Sequence, residues 1–578
     1  MLEILLFLSV FIVVIFPTGK YLYHIATEQR TFADPVFDRL DNVIYRICGI
    51  DDEGMSWKRY AVALVATNAA MVFIGYLILR IQFIPWFNPN GIGSMEASLS
   101  FNTIISFMTN TNLQHYSGES GLSYLSQMLV IIYMMFTSAA TGGAVVMAFV
   151  RGLSGTCRNM GNFYRDLVRN TTRVLLPLAI VVGLVLVSQG CPQNFSANVT
   201  VQTIEGKYQD IAMGPIASLV SIKHLGTNGG GFLGANSTTP LENPNVFTSM
   251  LEMLSMMLLP GAFVVMFGLM VRDRRRQKAE KEGRKEGRKE GIVLGSEAKP
   301  VFAVMFAIFL IGLAACYTSE LAGNPKLEQV GLNQDMGSME GKEVRFGIAQ
   351  SATFTTVTTS FTTGTVNNMH DTLTPIGGMV PLINMMLNFV FGGEGVGLVN
   401  MLIYVILTVF VCGLMVGRTP EYLAKKIEGR EMKLAALCII IHPLLILGFS
   451  ALAVAVPDGL AGITNPGPHG LTQVLCEYAS SAANNGSGFE GLADNSLFWN
   501  VTAGLAMFFG RYLSIVIALA ISSSLMLKQP VSESIGTLRT DTRTFTVSLF
   551  MVVVIIAALT FFPALVLGPL TEHMILWG

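Results

Sequence analysis

The sequence has 578 residues, of which 52% are hydrophobic and 13% are charged, and its mean hydropathy is +0.55. Soluble proteins carry about 25% charged residues, so the composition excludes an ordinary soluble protein and indicates a membrane protein. The net charge of −1 argues against nucleic acid as a partner. The seven cysteines share no metal-ligand spacing, so they indicate neither a disulfide framework nor a zinc site.

Ten apolar runs are long enough to cross a membrane, which takes about 20 residues. They lie at 2–24, 59–81, 124–150, 173–193, 245–271, 300–320, 379–417, 433–456, 497–527 and 544–570. The first run is too long for a signal peptide and lacks its cleavage site, so we expect it to remain as a helix. The predicted fold is therefore an all-α polytopic membrane protein with ten transmembrane helices.

The basic residues are distributed unevenly over the loops between these runs. Of the 37 Lys and Arg, 29 lie on one side and 5 on the other, which predicts that both termini are outside. The stretch 272–291 alone has 10 basic and 5 acidic residues. We interpret it as a solvated cytoplasmic linker in preference to a lipid-headgroup site.

The outer loops 82–123, 194–244, 321–378 and 457–496 each contain a short apolar half-helix followed by a Gly/Asn/Thr-rich tetrad. The tetrads are Thr109-Asn110-Thr111-Asn112, Thr227-Asn228-Gly229-Gly230, Thr363-Gly364-Thr365-Val366 and Asn484-Asn485-Gly486-Ser487. Irregular backbone survives at membrane depth only where protein buries it or where it lines water. The four tetrads therefore predict one shared cavity.

The spacing of the tetrads predicts an internal repeat of span, half-helix, tetrad and span. Two crossings per unit give all four units the same orientation, so they can surround a central pore as a pseudo-fourfold ring. The expected divisions are 1–58 (N-terminal helix and loop), 59–172, 173–299, 300–432 and 433–543 (pore repeats 1 to 4), and 544–578 (C-terminal helix). The third repeat would hold a gate, and the second would hold the basic linker.

The chemistry of the tetrads fits a dehydrated monovalent cation, because converging backbone carbonyls replace water without the tight grip of a carboxylate. None of the tetrads contains Asp or Glu, which disfavours a divalent-ion site. An acid follows each tetrad: Glu119, Glu242, Asp371 and Glu490. These acids would either line a vestibule that concentrates cations or be ordinary loop acids.

The strings TNTNLQHYSGES, HLGTNGGGFLGANSTTPLENP, TTGTVNNMHDTLTPIGG and SSAANNGSGFEGL resemble the selectivity-filter segments of the KdpA family, the potassium-binding subunits of Kdp-type ATP-driven importers. The resemblance spans about residues 1–570 and implies kinship with the superfamily of potassium transporters. It implies K+ as the transported ion, carbonyls of the four tetrads as its ligands, and a bacterial plasma membrane location. The implied partners are a P-type ATPase catalytic subunit, a single-span accessory subunit, a small membrane peptide and membrane lipid. The basic linker looks longer than the family needs.

Several side chains near the tetrads have two interpretations. The family associates the position of Gln114 with the ion entrance, but the side chain could equally support the filter by hydrogen bonds. The three histidines that flank the tetrads, His115, His224 and His370, are more typical of structural residues than of ion ligands. Glu252, in the fifth run, would be an interhelical hydrogen-bond partner.

Two intramembrane features indicate control of the ion path. Arg511 interrupts the ninth run, and such a charge needs a cavity or a partner; the resemblance implies a cation just below the filter, and a brace to a filter carbonyl or to Glu394 is the alternative. The seventh run is too long for one crossing and is interrupted by a glycine-rich break. We interpret this break, with Gly392, Gly393, Glu394, Gly395 and Gly397, as a mobile gate in preference to a simple kink.

The sequence has neither a GxxxxGK[ST] phosphate loop nor the DKTG string that P-type ATPases phosphorylate, so we expect no nucleotide site in this chain. The predicted function is a non-catalytic, potassium-selecting subunit under the control of an ATPase partner. One alternative is an ATP-independent channel or secondary transporter for K+ or Na+. A second is a non-conducting membrane scaffold.

Overall fold

The computed structural model describes residues 2–32, 34–155, 159–281, 294–531 and 537–578. Its longer helices are Leu2–Ala26, Asp34–Cys48, Trp57–Ile81, Ala97–Met108, Tyr133–Ser154, Leu176–Ser188, Ile216–Leu225, Val246–Lys281, Ala298–Leu321, Gly347–Ser360, Pro375–Leu387, Val396–Met415, Gly429–Ala455, Pro468–Ala483, Leu497–Met526 and Arg543–Leu565. The short helices are Gly118–Gly121, Tyr124–Ser126, Phe163–Arg169, Asn236–Thr238, Pro325–Gln329, Pro457–Leu460 and Thr571–Trp577. Wider π-turns at Gln127–Ile132, Asn170–Leu175 and Val566–Leu570 join adjacent helices into longer ones.

Ten helices in the described ranges are long and apolar enough to span a membrane, which confirms the predicted count. They are Glu3–Ala26, Trp57–Ile81, Tyr124–Ser154, Phe163–Ser188, Val246–Arg276, Ala298–Gln329, Val396–Met415, Gly429–Ala455, Leu497–Met526 and Arg543–Trp577. Side chains satisfy the free N–H groups where several of them begin. Ser496 accepts from Trp499, and Glu428 forms a reciprocal capping box with Glu431.

Each predicted half-helix is a helix in the structure, and each lies between two spanning helices. We call Ala97–Met108, Ile216–Leu225, Gly347–Ser360 and Pro468–Ala483 re-entrant helices 1 to 4, and a spanning helix, its re-entrant helix and the next spanning helix a repeat. The second spanning helix of each repeat has 61–94% of its apolar window buried, against 28–39% for the first. The second spanning helices therefore lie deeper in the protein than the first ones.

The seventh apolar run is two helices in the structure, as its length predicts. The short helix Pro375–Leu387 ends at Asn388, whose φ of +50° is left-handed, and Val396–Met415 begins after an irregular segment. Phe391, Gly392 and Gly395 in this segment also have positive φ. We call residues 388–395 the helix break.

In the described part of the chain, the strands form two small antiparallel hairpins. Val199–Gln202 pairs with Tyr208–Ile211 in the outer part of repeat 2, and Glu421–Tyr422 pairs with Lys425–Lys426 after the third repeat. The prediction for the basic linker falls largely on residues 282–293, which lie outside the described ranges.

Candidate functional site

Each re-entrant helix runs into a segment with the same unusual backbone. The first left-handed position is Asn110, Thr227, Thr362 or Asn484, with φ of 61°, 47°, 49° and 56°. The second, two residues later, is Asn112, Gly229, Gly364 or Gly486, with φ of 57°, 100°, 101° and 102°. Left-handed residues that alternate with ordinary ones prevent both helix and strand, which leaves these segments irregular.

One backbone hydrogen bond recurs in all four segments and fixes their alignment. The residue between the two left-handed positions donates its N–H to the carbonyl five residues earlier: Thr111 to Ser106, Asn228 to Lys223, Thr363 to Thr358 and Asn485 to Ser480, at 2.8–2.9 Å. The equivalent residues are therefore 110–113, 227–230, 362–365 and 484–487, which we call filter segments 1 to 4. The tetrad 109–112 thus begins one residue before filter segment 1, and 363–366 begins one residue after the start of filter segment 3; which residues bind the ion stays a prediction.

The four filter segments lie against one another in sequence order. A Cβ on Gly229 would overlap the carbonyl oxygen of Thr363, and a Cβ on Gly364 would overlap that of Asn485. A Cβ on Gly486 would overlap the carbonyl oxygen of Thr111, so segment 4 meets segment 1. Glycine at these three positions permits both the positive φ and the close approach of the neighbouring backbone.

Side-chain hydrogen bonds join the adjacent segments. Asn110 Nδ2 donates to the carbonyl of Thr227 at 3.1 Å, and Asn484 Nδ2 donates to Thr111 Oγ1 at 2.9 Å. Ser487 Oγ donates to the carbonyl of Gly364 at 3.3 Å. These hydrogen bonds join filter segment 1 to segment 2, segment 3 to segment 4, and segment 4 to segment 1. Segments 2 and 3 are in contact where Gly229 packs against Thr363.

Gln114 lies just beyond filter segment 1 and forms hydrogen bonds with Gly231, the residue that follows filter segment 2. Its Nε2 donates to the carbonyl of Gly231 at 3.0 Å, and its Oε1 accepts from the N–H of the same residue at 2.8 Å. This reciprocal pair supports the interpretation of Gln114 as an amide that braces the filter.

The acids after the segments have protein partners. Glu242 is fully buried and forms an ion pair with Lys223 of re-entrant helix 2, so it does not line an open vestibule. Glu119 accepts from the N–H of Gly234 at 2.8 Å, and Glu490 accepts from that of Asp371 at 3.0 Å. Asp371 in turn accepts from His469 and Gln473. These contacts favour a structural role for the four acids.

His115 is buried and joins repeat 1 to repeat 4. Its Nε2 lies 3.1 Å from Glu477 Oε1 and 3.9 Å from Asp494 Oδ2, and its Nδ1 lies 2.7 Å from Asn500 Oδ1. Burial alone would lower the pKa of His115, but Asp494 and Glu477 outweigh it and raise this pKa to about 9. The sequence carries no signal for Glu477 or Asn500, because each lies more than 360 residues from His115.

The imidazole rings of the other two flanking histidines form no hydrogen bond with the filter segments in the described ranges. His224 hydrogen-bonds to the carbonyl of Val220 at 2.8 Å, and its Nε2 lies 3.4 Å from Glu252 of the next spanning helix. Both carboxyl oxygens of Glu252 lack a hydrogen-bond partner among the described residues, so its interhelical hydrogen bond stays a prediction. His370 is fully buried, and neither ring nitrogen has a hydrogen-bond partner among the described residues.

The helix break lies directly against filter segments 2 and 3. Gly392 donates its N–H to the carbonyl of Ser360 at 2.9 Å, at the end of re-entrant helix 3. Glu394 donates its N–H to Thr227 Oγ1 at 2.8 Å. The break therefore contacts the ends of the filter segments nearest to their re-entrant helices, and a movement of either would shift the other.

Arg511 and Glu394 converge on the same point of repeat 1. A Cβ on Gly142 would lie 3.1 Å from Arg511 Nη2 and would overlap the carbonyl oxygen of Glu394. Arg511 Nη2 and both carboxyl oxygens of Glu394 have no hydrogen-bond partner in the described ranges, and no ion pair within 4 Å joins the two side chains. The structure thus does not form the direct Arg511–Glu394 brace considered above.

Unpartnered polar atoms recur around the filter segments and the break. They include both amide atoms of Asn112, Oδ1 of Asn228 and Oγ1 of Thr363, all in buried residues. Buried polar groups normally have partners, so we expect water or an ion to contact these atoms.

Sequence comparison relates the chain to one family over nearly its full length. The family KdpA, described as "Potassium-transporting ATPase A subunit", matches residues 5–574. Three relatives are each described as "Potassium-transporting ATPase potassium-binding subunit". Those of Clostridium acetobutylicum and Staphylococcus haemolyticus are 56% and 50% identical, covering 100% of both chains, and that of Geobacillus kaustophilus is 54% identical, covering 97% of both.

Comparison of the folds relates the chain to a solved structure of low sequence identity. The potassium transporter TrkH from Vibrio parahaemolyticus superposes with a TM-score of 0.51 and 13% identity, over 87% of this chain and 97% of that one. At this identity the similarity concerns the fold alone.

Proposed function

The chain belongs to the KdpA family of potassium-transporting ATPase A subunits, and from this membership we propose that it is the potassium-binding subunit of an ATP-driven potassium importer. The observation that carries the proposal is the packing of four filter segments, one from each repeat, in sequence order around one centre. Such packing directs carbonyl oxygens from four sides toward a dehydrated monovalent cation.

Ion selection in this proposal depends on backbone oxygens of the filter segments. The ligands come from the tetrads named above, in the register that the recurring hydrogen bond defines, so Leu113 and Thr362 join the ring and Thr109 and Val366 border it. The carbonyl of Gly364 accepts a hydrogen bond from Ser487. This hydrogen bond would fix the position of the carbonyl oxygen and weaken its coordination of the ion. A rigid ring favours one ion radius because its neighbours prevent collapse onto a smaller ion.

The helix break acts as the gate beneath the filter. Its hydrogen bonds to Ser360 and Thr227 support this role, because they couple its position to filter segments 2 and 3. Arg511 acts as an electrostatic barrier next to it. The guanidinium group of Arg511 is buried, and its Nη2 has no hydrogen-bond partner among the described residues, so it repels a cation that leaves the filter. The carboxyl group of Glu394 lowers this barrier when it moves closer to Arg511.

The proposed setting is a bacterial plasma membrane with both termini outside and the basic loops in the cytoplasm, as the distribution of Lys and Arg indicates. The re-entrant helices then enter from outside, and K+ reaches the filter from the exterior. A P-type ATPase catalytic subunit supplies ATP hydrolysis, because this chain contains neither the phosphate loop nor the DKTG string noted above. The accessory subunit, the small membrane peptide and surrounding lipid complete the proposed assembly.

Co-purification tests this proposal against its two rivals. The chain, tagged at its native level of expression, is purified from membranes and assayed for ATP hydrolysis with and without K+. We expect a stoichiometric ATPase subunit and hydrolysis that K+ stimulates. K+ flux through the purified chain without any ATPase would favour the channel or secondary transporter, and an absence of K+ binding would favour the scaffold.

A further inference from the structure

A second cation site of different chemistry lies outside the filter. Three side chains from separate parts of the chain meet there: His115 beyond filter segment 1, Glu477 on re-entrant helix 4, and Asp494 beyond filter segment 4. One ligand atom from each lies within 4.8 Å of the other two. We propose that these residues bind a divalent transition-metal ion, with Zn2+ as the best fit, on the outer side of the protein.

The orientation of the His115 ring supports a ligand role. Asn500 Oδ1 can only accept a hydrogen bond, and it lies 2.7 Å from Nδ1. Nδ1 therefore carries the donated hydrogen, and Nε2 faces the two carboxylates. Histidines that bind metals almost always donate their other ring N–H to an oxygen in this manner, because the bond fixes the ring and increases the basicity of the ligating nitrogen.

The two separations from His115 Nε2 fit tetrahedral coordination. Two ligands at about 2.0–2.2 Å from zinc lie roughly 3.3–3.6 Å apart. The observed separations from His115 Nε2 are 3.1 Å to Glu477 Oε1 and 3.9 Å to Asp494 Oδ2, which bracket that range. A metal ion would replace the hydrogen on Nε2, and small shifts of the two carboxylates would complete three of the four ligands.

His469 provides a comparison, because it forms an ordinary ion-pair bridge between two carboxylates. His469 also contacts two carboxylates, Asp371 at 3.0 Å and Glu572 at 2.8 Å. These lie on opposite edges of the ring, one at each nitrogen, so they cannot share a metal ion. At His115 both carboxylates converge on one nitrogen, and that convergence is the feature that distinguishes the proposed site.

The site is reachable from the outside. His115 and Glu477 are buried, but the Asp494 side chain is 25% exposed. A metal ion can enter beside Asp494, and water can supply the fourth ligand. Zinc accepts histidine nitrogen and carboxylate oxygen, so one histidine, two carboxylates and a water can complete its four ligands, whereas a hard ion such as Mg2+ or Ca2+ favours oxygens alone.

Zinc binding to the purified complex in lipid nanodiscs tests the proposal. Equilibrium dialysis against micromolar Zn2+, followed by elemental analysis, is performed on wild type, Asp494→Asn, Glu477→Gln and the matched control His469→Gln. We expect Asp494→Asn and Glu477→Gln each to lose one zinc per complex, or to weaken its affinity by more than about tenfold. His469→Gln should keep the wild-type stoichiometry and affinity.

The readout is independent of potassium transport, so its failure and the failure of the proposed function are distinguishable. Asp494→Asn preserves the shape of the side chain, and gel filtration establishes that the variant complex is intact. If Asp494→Asn and Glu477→Gln bind as much zinc as wild type with the same affinity, the cluster is a hydrogen-bonded ion cluster and the proposal is wrong. An absence of zinc binding in wild type would also overturn it.

Discussion

The carbonyl oxygen of Thr363 occupies the place that a Cβ on Gly229 would take, although the two residues belong to different repeats. The same relationship joins Gly364 to Asn485 and Gly486 to Thr111. No residue other than glycine fits such a contact without moving the neighbouring backbone. The size of the space between the four filter segments therefore depends on glycine, which has no Cβ, at positions 229, 364 and 486.

The first prediction concerns these glycines. Gly364→Ala and Gly486→Ala should each weaken potassium affinity by more than about tenfold, roughly 1.4 kcal/mol, because a Cβ pushes the adjacent carbonyl out of the ring. Potassium binding to the purified complex measures the effect. Gly488→Ala is the matched control, since its Cβ would meet only a side-chain carbon of Leu113 at 3.7 Å. If both filter variants keep the wild-type affinity for potassium, the filter segments are not the potassium-binding site.

The second prediction concerns the helix break. Gly393 has an ordinary backbone conformation, and its Cβ would lie 3.3 Å from the carbonyl oxygen of Thr362 and 3.4 Å from Thr227 Oγ1. Gly393→Ala should fold but tighten the contact between break and filter, and so slow potassium transport severalfold while the preference for K+ over Na+ is kept. Flux in proteoliposomes measures both.

The control for the break is Gly448→Ala, because that position has no atom within 4 Å of an added Cβ. Its transport rate should equal that of wild type. If Gly393→Ala transports at the wild-type rate as well, the break is a static kink and the gate must be sought elsewhere.

The third prediction concerns the charge of Arg511. Arg511→Gln should permit potassium leak without ATP or weaken ion retention, because it removes the barrier under the filter. Arg511→Lys keeps the charge and should behave more like wild type. Arg80→Gln serves as a control, since Arg80 donates to the carbonyl of Met95 at the end of a spanning helix. Equal behaviour of the Gln and Lys variants, with coupling intact, would identify Arg511 as a structural brace.

The sequence predicts the spanning helices well, since length and apolarity are local properties that ten runs display plainly. The alignment of the filter segments is harder. In segment 1 both left-handed positions are asparagines, and in segment 3 the first is Thr362, whose threonine type gives no sign of a positive φ. The Gly/Asn/Thr-rich tetrads 109–112 and 363–366 are therefore each offset by one residue from the structural alignment.

Contacts between repeats are the part that the sequence does not reveal. Asn110 with Thr227, and His115 with Glu477, join residues more than 100 positions apart. Their polarity is visible in the sequence, but polarity alone does not identify a partner. The surroundings of Arg511, whose Nη2 lacks a hydrogen-bond partner among the described residues, likewise involve distant positions such as Gly142.

The fourth prediction concerns pH and His469. Burial alone would lower its pKa, but Asp371 and Glu572 outweigh burial and raise it from 6.5 to about 10. A pKa that is higher in the folded state stabilises the fold fully below pH 6.5, and this contribution is lost as the pH rises through 10.

The thermal unfolding midpoint of the purified complex, followed by tryptophan fluorescence, measures this effect. Wild type should exceed His469→Gln in stability below pH 6.5, and the difference should shrink as the pH approaches 10. A constant difference across that range would mean that the ion pairs of His469 contribute nothing to stability.

The central claim is that a potassium ion binds among the four filter segments. Anomalous diffraction from the complex with Rb+ or Tl+ in place of K+ locates the ion directly. The account predicts a peak enclosed by the carbonyl oxygens of Thr111, Asn228, Thr363 and Asn485 or their immediate neighbours, and its loss in Gly364→Ala. A strong peak elsewhere in the membrane region, with none among these segments, would contradict it.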